Sequence, residues 1–304
     1  MRFLPPAVLF AASMGNLALS APDGDYPRRD LLVEPANAAK PELRDRAVLL
    51  DARDRKKYEE GHAAGAVLVD AAAWAKAFGD GKDAAGWTRR IGALGLSPGS
   101  TVVVYDDAAS KDAARIWWIL RYWGFEDARL LNGGWKAWKA AGLPVETGAP
   151  KARAASYVEL KPQSERLATK ARLLESIKKG DLQVLDARST AEHCGTEKTA
   201  KRAGAIPGAK HLDWVELIDK KTERFKHADE LRRLFKEAGI DLAKPAAAHC
   251  QSGGRASVAA FAMELMGSRD VSNYHASWAE WGNADDTPVV PGKAKGAAGE
   301  DGKK

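Results

Sequence analysis

Cysteine is scarce in this chain, with only Cys194 and Cys250 among 304 residues. That excludes a fold stapled by a disulfide framework, which takes four or more cysteines. The six histidines (His62, His193, His211, His227, His249 and His275) are scattered, and no group of cysteine and histidine has zinc-ligand spacing. Neither a metal nor any other cofactor is expected. No apolar run long enough to cross a bilayer follows the first twenty residues. Concentrated basic charge is missing too. The net charge is +6, but pairs such as Arg28-Arg29, Lys56-Lys57, Lys178-Lys179 and Lys220-Lys221 are dispersed, and no basic helix carries interleaved aromatics. Nucleic acid is therefore not an expected partner. A modest positive field suits small anionic ligands better.

Residues 1–20 have the pattern of an export signal. Met1-Arg2 gives a minimal charged start, the stretch from Phe3 to Leu19 is mostly apolar though broken by Pro5 and Pro6, and Ala18-Leu19-Ser20 precedes Ala21 as a small-residue cleavage site. The expectation is a mature chain starting near Ala21, periplasmic or secreted, with no stable membrane association after cleavage. Two cysteines in an exported protein raise the question of a bond between them. Cys194 reads as an incidental loop residue, with a redox partner for Cys250 as the alternative.

The chain contains itself twice. Shifting the second half back by 143 positions lays Trp278 and Trp281 on Trp135 and Trp138, and Gly204, Gly208 and Ala209 on Gly61, Gly65 and Ala66. The same shift lays Cys250 on Asp107. Beyond a short insert within residues 195–203, Val184-Leu185-Asp186-Ala187-Arg188 resembles Val48-Leu49-Leu50-Asp51-Ala52-Arg53. Each half reads as a buried strand ending in Asp-Ala-Arg, a glycine-bearing turn, helical segments, a second apolar strand and a further helix. The second strands are Thr101 to Tyr105 and Ala246 to His249. Strands alternating with helices imply an α/β fold, with a parallel sheet flanked by helices in each half. The domains expected are residues 28–148 and 157–291, joined by a linker at 149–156 that lacks periodicity and followed by a small, charged tail at 292–304. The aromatic cluster from Ile116 to Trp123 has the helical spacing of a core or a domain interface.

Cys250 opens the run Cys250-Gln251-Ser252-Gly253-Gly254-Arg255, between a short apolar stretch and a helix-like one. The glycines let successive backbone N–H groups turn inward as an anion-holding nest. The helix N-terminus adds partial positive charge at the same spot. Both favour thiolate, the nucleophilic form of cysteine. Parallel sheets place ligands at the carboxyl ends of their strands, where Cys250 and Arg188 both sit, so the two are expected to share one crevice.

These residues together resemble the tandem-domain rhodaneses, a family of sulfurtransferases, from about Arg28 to about Val290. Gly204-Ala205-Ile206-Pro207-Gly208-Ala209 matches the family's Gly-His-Ile-Pro-Gly-Ala stretch with Ala205 in place of histidine, and Trp278 and Trp281 match its closing tryptophan motif. The resemblance implies two rhodanese-like domains, of which only the second is catalytic. The first-half loop, Asp107 to Asp112, has no thiol, no paired glycines and no arginine. It further implies that Cys250 takes a sulfane sulfur from thiosulfate as a persulfide and passes it to cyanide or a thiol, with a protein acceptor also compatible. Arg188 and Arg255 would bind the donor's oxygens, with a salt bridge within the fold as the alternative for Arg188; the backbone N–H groups of Gln251, Ser252, Gly253, Gly254 and Arg255 would hold the sulfur anion, with substrate contact by the Gln251 and Ser252 side chains left open. Asp186 is expected to be structural, hydrogen-bonding nearby backbone or Arg188.

Three alternatives remain at this point. Mercaptopyruvate-using relatives typically carry Cys-Gly-Ser-Gly in the loop, which Gln251 and Arg255 do not match. A non-enzymatic persulfide carrier would use the same cysteine. His249-Cys250 with a following arginine is also similar to the cysteine phosphatase signature, but that loop has five residues before the arginine and this one has four.

Overall fold

The computed structural model describes residues 25–97, 99–151, 154 and 159–292. The proposed export signal lies outside these residues, as do part of the 149–156 linker and all but the first residue of the 292–304 tail.

In the first half the order is β1 (Leu32–Val33), α1 (Pro35–Ala38), α2 (Pro41–Arg44), β2 (Ala47–Asp51), α3 (Arg55–Glu60), β3 (His62–Ala63), β4 (Val67–Leu68), α4 (Ala71–Phe78), α5 (Ala84–Gly92), β5 (Thr101–Tyr105), α6 (Lys111–Tyr122), β6 (Ala128–Leu131), α7 (Gly134–Ala140) and β7 (Val145–Glu146). Five of these strands form a parallel sheet in the order β1-β6-β5-β2-β4, while β3 and β7 pair antiparallel. The second half runs α8 (Lys170–Lys179), β8 (Gln183–Asp186), α9 (Thr190–Cys194), β9 (Lys210–His211), α10 (Ala228–Glu237), β10 (Ala246–His249), α11 (Gly254–Leu265), β11 (Val271–Asn273) and α12 (Ser277–Trp281). Its parallel sheet has the order β11-β10-β8-β9.

The central strands explain themselves. Every residue of β5 and of β10 is buried, as strands covered on both faces require, and apart from Thr101 and His249 their sequences are apolar runs rather than alternations. Outer helices alternate instead: α10 buries Ala228, Leu231, Leu234 and Phe235 and leaves its charged face to water. Helix α11 is buried almost all round because it lies between its own sheet and α6 of the other half.

That helix pair joins the halves. Trp117 of α6 meets Phe261 of α11 edge to face, ring centroids 4.9 Å apart, and one continuous apolar cluster runs through both domains. Fully burying one such aromatic is worth roughly 1.5–3 kcal/mol, so the interface is a core and not a hinge. The residues from Ile116 to Trp123 thus sit where helical spacing put them. The N-terminal segment adds a strap: the Tyr26 hydroxyl donates to the Lys226 carbonyl at 2.8 Å, and the Arg28 N–H donates to the Leu265 carbonyl.

The repeat holds in three dimensions with one change of register. The Ala52 N–H donates to the Tyr105 carbonyl as that of Ala187 does to His249, and the Trp135 N–H donates to Asp106 as that of Trp278 does to Cys250. Asp106, not Asp107, therefore occupies the place of Cys250. The helices that follow start in step, since Ser110 and Gly253 are both left-handed N-caps. The first-half loop is accordingly one residue longer, which a gap-free shift of 143 cannot show.

Candidate active site

Cys250 follows directly on β10, and four loop carbonyls after the strand are claimed from outside the loop. The Trp278 and Ala279 N–H groups donate to the carbonyls of Cys250 and Gln251. Arg115 Nη1 donates to that of Ser252 at 2.7 Å, and Asn273 Nδ2 and Ser257 Oγ donate to that of Gly253. Pinning the carbonyls outward turns the peptides, and no acceptor among the described residues meets the N–H groups of Gln251, Ser252, Gly253 and Gly254. They form an open cradle at the start of a twelve-residue helix.

The paired glycines are required by contact. Gly253 has φ 84°, and a Cβ there would stand 2.8 Å from His275 Cδ2 and 2.9 Å from the His275 carbonyl. A Cβ on Gly254 would stand 2.4 Å from Arg115 Nη2. Only a bare backbone lets the loop close onto these two side chains.

The first half shows what such a cradle holds. The Asp106 carboxylate, 2% exposed, accepts the N–H groups of Ala108, Ser110, Asp112 and Ala113 at 2.8–3.1 Å. Burial pushes its carboxyl up to about 6 against the pull of the Ala113, Ala108 and Ser110 N–H groups. One loop carries its own anion, and the other leaves the position to sulfur.

Cys250, Gln251, Ser252, Gly254 and Arg255 line one cleft of about 990 Å³ between the domains. The opposite wall comes from the first half and includes Arg53, Lys57, Asp107, Lys111 and Arg115. Arg115 is 9% exposed. Burial lowers its pKa, while the charge of Cys250 acts the other way. Arg255 pairs through both terminal nitrogens with Glu192, at 2.6 and 2.8 Å, and its pKa is raised: burial opposes the charge, but Glu192 and the Cys250 sulfur together prevail. Two guanidiniums and a helix N-terminus are therefore the positive groups at this end of the cleft. The side-chain amide of Gln251 is held by Thr199 at both ends, at 2.8 and 3.1 Å, so the backbone is what this residue offers the cleft.

Arg188 is a correction. It was expected in the crevice, and it lies in the core at 1% exposure. Its guanidinium binds both oxygens of Asp186, donates to the Gly204 carbonyl at 2.7 Å and covers the Trp278 ring at 4.2 Å. Arg53 makes the same set of contacts with Asp51, Gly61 and Trp135, in the half without the cysteine. A constellation that recurs where there is no thiol builds the fold. Burial alone would raise the pKa of Asp186, but His249, His193 and Arg188 drive it well below the carboxylate range. The His249 imidazole, beside Cys250, is fully buried and pushed down to about 4.

Sequence reasoning did not find Arg115, Glu192, Ser277 or His275. The Ser277 hydroxyl accepts the Cys250 N–H at 3.1 Å. Glu192 had a legible signal, since Ser189-Thr190-Ala191-Glu192 is a capping box, formed here in full. Arg115 had none, because its target lies 137 residues away. Cys194 ends α9, partly exposed, and both cysteines are free thiols.

This geometry, two α/β domains closing over a loop-borne cysteine, is that of the sulfurtransferases. The Rhodanese-like domain model matches residues 35–141 and 169–284, and the chain belongs to the rhodanese family. A thiosulfate sulfurtransferase of Pseudomonas aeruginosa is 33% identical over 267 residues, 85% of this chain and 96% of that protein. The sulfur carrier protein TtuD of Thermus thermophilus is 34% identical over 254 residues, 78% of this chain and 87% of that one. Among solved structures, SseA from Escherichia coli, a 3-mercaptopyruvate sulfotransferase, superposes with a TM-score of 0.68 at 26% identity, covering 82% of this chain and 99% of SseA.

Proposed function

We propose that this sulfurtransferase moves the sulfane sulfur of thiosulfate to a thiophilic acceptor through a persulfide on Cys250. The Cys250 thiolate attacks the outer sulfur of thiosulfate. The sulfur–sulfur bond of the donor breaks, sulfite leaves with the bonding pair, and the transferred sulfur remains as the terminal anion of the persulfide. Cyanide or a thiolate then attacks that terminal sulfur and leaves as thiocyanate or a new persulfide, returning the thiolate. The peptide N–H groups of residues 251–254 face the sulfur in both half-reactions and need no rearrangement between them. Arg255 and Arg115 are the cations within reach of the donor's sulfonate.

The observation that carries this reading is the open N–H cradle around Cys250, at the position where the first domain holds a carboxylate. Thiosulfate as donor is supported by the two guanidiniums at the sulfur and by the thiosulfate sulfurtransferase relative; mercaptopyruvate is the alternative donor. The test is steady-state thiocyanate formation from thiosulfate and cyanide. Wild type turns over with ping-pong kinetics, gains the mass of one sulfur atom on Cys250 when given donor alone, and loses both properties in Cys250→Ala. Sustained turnover by the variant refutes the assignment, and a single sulfur exchange without turnover marks a carrier. We also propose export to the periplasm or beyond, resting on residues 1–20; sequencing the N-terminus of the mature protein checks it.

A further inference from the structure

The loop cation is not a free charge. Glu192 is 5% exposed, stands outside the cleft lining and is tied into its own helix start: Oε2 accepts the Ser189 N–H at 3.0 Å while the Glu192 N–H donates to Ser189 Oγ at 3.2 Å. Ser189 follows directly on Arg188, whose side chain is locked into the core. A rigid chain of contacts thus runs from the end of β8 through Ser189 and Glu192 to Arg255 and the sulfur. Both terminal nitrogens of Arg255 are engaged, a bidentate fork that fixes the plane of the guanidinium as well as its place. The fork leaves the Nε–H and one hydrogen on each terminal nitrogen for the cleft.

The charge count follows. At the loop stand Arg115, Arg255, Glu192 and the Cys250 sulfur, while the rest of the cleft lining sets Arg53, Lys57 and Lys111 against four aspartates, so a donor enters a site of mixed sign in which Glu192 is one negative charge. Without Glu192 the site would be one unit more positive, a change that favours a dianion over a monoanion. We propose that Glu192 is a positioning and donor-selecting residue: its carboxylate fixes the Arg255 guanidinium beside Cys250 and cancels one positive charge where the anionic end of the donor lies. This rests on the sulfur-transfer reading above and deepens it.

The two roles separate in two variants. Glu192→Gln keeps a capping-box side chain but removes the charge. Glu192→Asp keeps the charge but is one methylene short of the guanidinium. The assay measures kcat and KM with thiosulfate, a dianion, and with mercaptopyruvate, a monoanion, at low and high salt. Expected for E192Q is a lower kcat with both donors and a kcat/KM ratio shifted toward thiosulfate by roughly three- to tenfold at low salt, shrinking as salt screens the added charge. Expected for E192D is a lower kcat with the ratio within about twofold of wild type, because a single retained charge keeps the field. Glu192→Met, which removes the charge at similar length, takes the place of E192Q if that variant does not fold. A residue of purely structural role lowers both donors alike in every variant, with no salt-dependent ratio, and that result overturns the proposal. Absence of turnover by wild type with either donor would instead sink the sulfur-transfer reading itself.

Discussion

Replacing Arg188 by methionine separates a core ion pair from a substrate contact. The side chains of Arg188 and Asp186 are 1% and 0% exposed. Methionine keeps an unbranched stem but leaves the Asp186 carboxylate buried, with the backbone N–H of residue 188 at 3.1 Å, His193 at 2.8 Å and His249 at 3.6 Å as its remaining partners. Stranding one member of a buried pair costs about 3–5 kcal/mol. Losing the guanidinium over Trp278 adds about 1 kcal/mol. At about 2–4 °C per kcal/mol for domains of this size, the midpoint of thermal unfolding falls by roughly 8–24 °C. Arg53→Met supplies the internal control, since its guanidinium makes the same contacts with Asp51 in the other half and its side chain is 2% exposed. The assay is a thermal scan followed by circular dichroism, with steady-state kinetics of the folded fraction well below the transition. Both variants are expected to lose stability by comparable amounts, and folded Arg188→Met is expected to keep its KM for thiosulfate within about threefold, since about 0.7 kcal/mol would account for that much. An unchanged midpoint with a tenfold higher KM would refute the reasoning and return Arg188 to the substrate.

Arg115→Met should lower kcat/KM by about ten- to hundredfold while the protein stays folded, because a hydrogen bond from a charged group to the Ser252 carbonyl is worth about 1.5–3 kcal/mol and the α6–α11 contact keeps Trp117 against Phe261 and Arg121 beside Glu264; a change under twofold would show that the loop orients itself. Acid should destabilise the fold between pH 7 and 5 through two buried imidazoles, offset in part by Asp106, whose carboxyl, raised to about 6, takes up its proton more readily in the folded state. Burial lowers the imidazole pKa of His249 to about 4 and that of His275 to about 3, below the unfolded value of about 6.5, so their contribution is complete above pH 6.5 and is lost as pH falls toward the folded values. Urea midpoints at pH 7, 6 and 5 should fall, with a shallower fall in His275→Gln; midpoints that hold steady down to pH 5 would contradict the neutral buried imidazoles.

What the sequence disclosed, it disclosed through local pattern. Apolar runs marked β5 and β10 to the residue, the 143-residue period marked the duplication, and the Cys250–Arg255 run marked a strand-to-helix turn. What it hid was long-range or geometric. The position of Arg188 at a strand end is the same whether its side chain turns outward to a ligand or inward to Asp186, and only the matching behaviour of Arg53 decides between them. The first-half loop differs from the second by one residue, which leaves no trace in a match anchored on tryptophans and glycines. Arg115 belongs to a helix otherwise read as interface, and nothing local connects it to Ser252.

The half without the thiol is more than a scaffold, and Asp106 shows why it kept the same loop. A carboxylate at the end of β5 must reach back into the N–H groups of its own turn, and the extra residue gives it the room to accept four of them. That internal anion satisfies a helix start whose counterpart stays open in the other half, so the first domain can fold around the same nest without chemistry. The helix it anchors, α6, then runs from Lys111 in the cleft to the apolar seam at Trp117, and presents Arg115 one turn along, against the backbone of the other loop. An anion locked into one copy of the loop thus holds in place the cation that shapes the other.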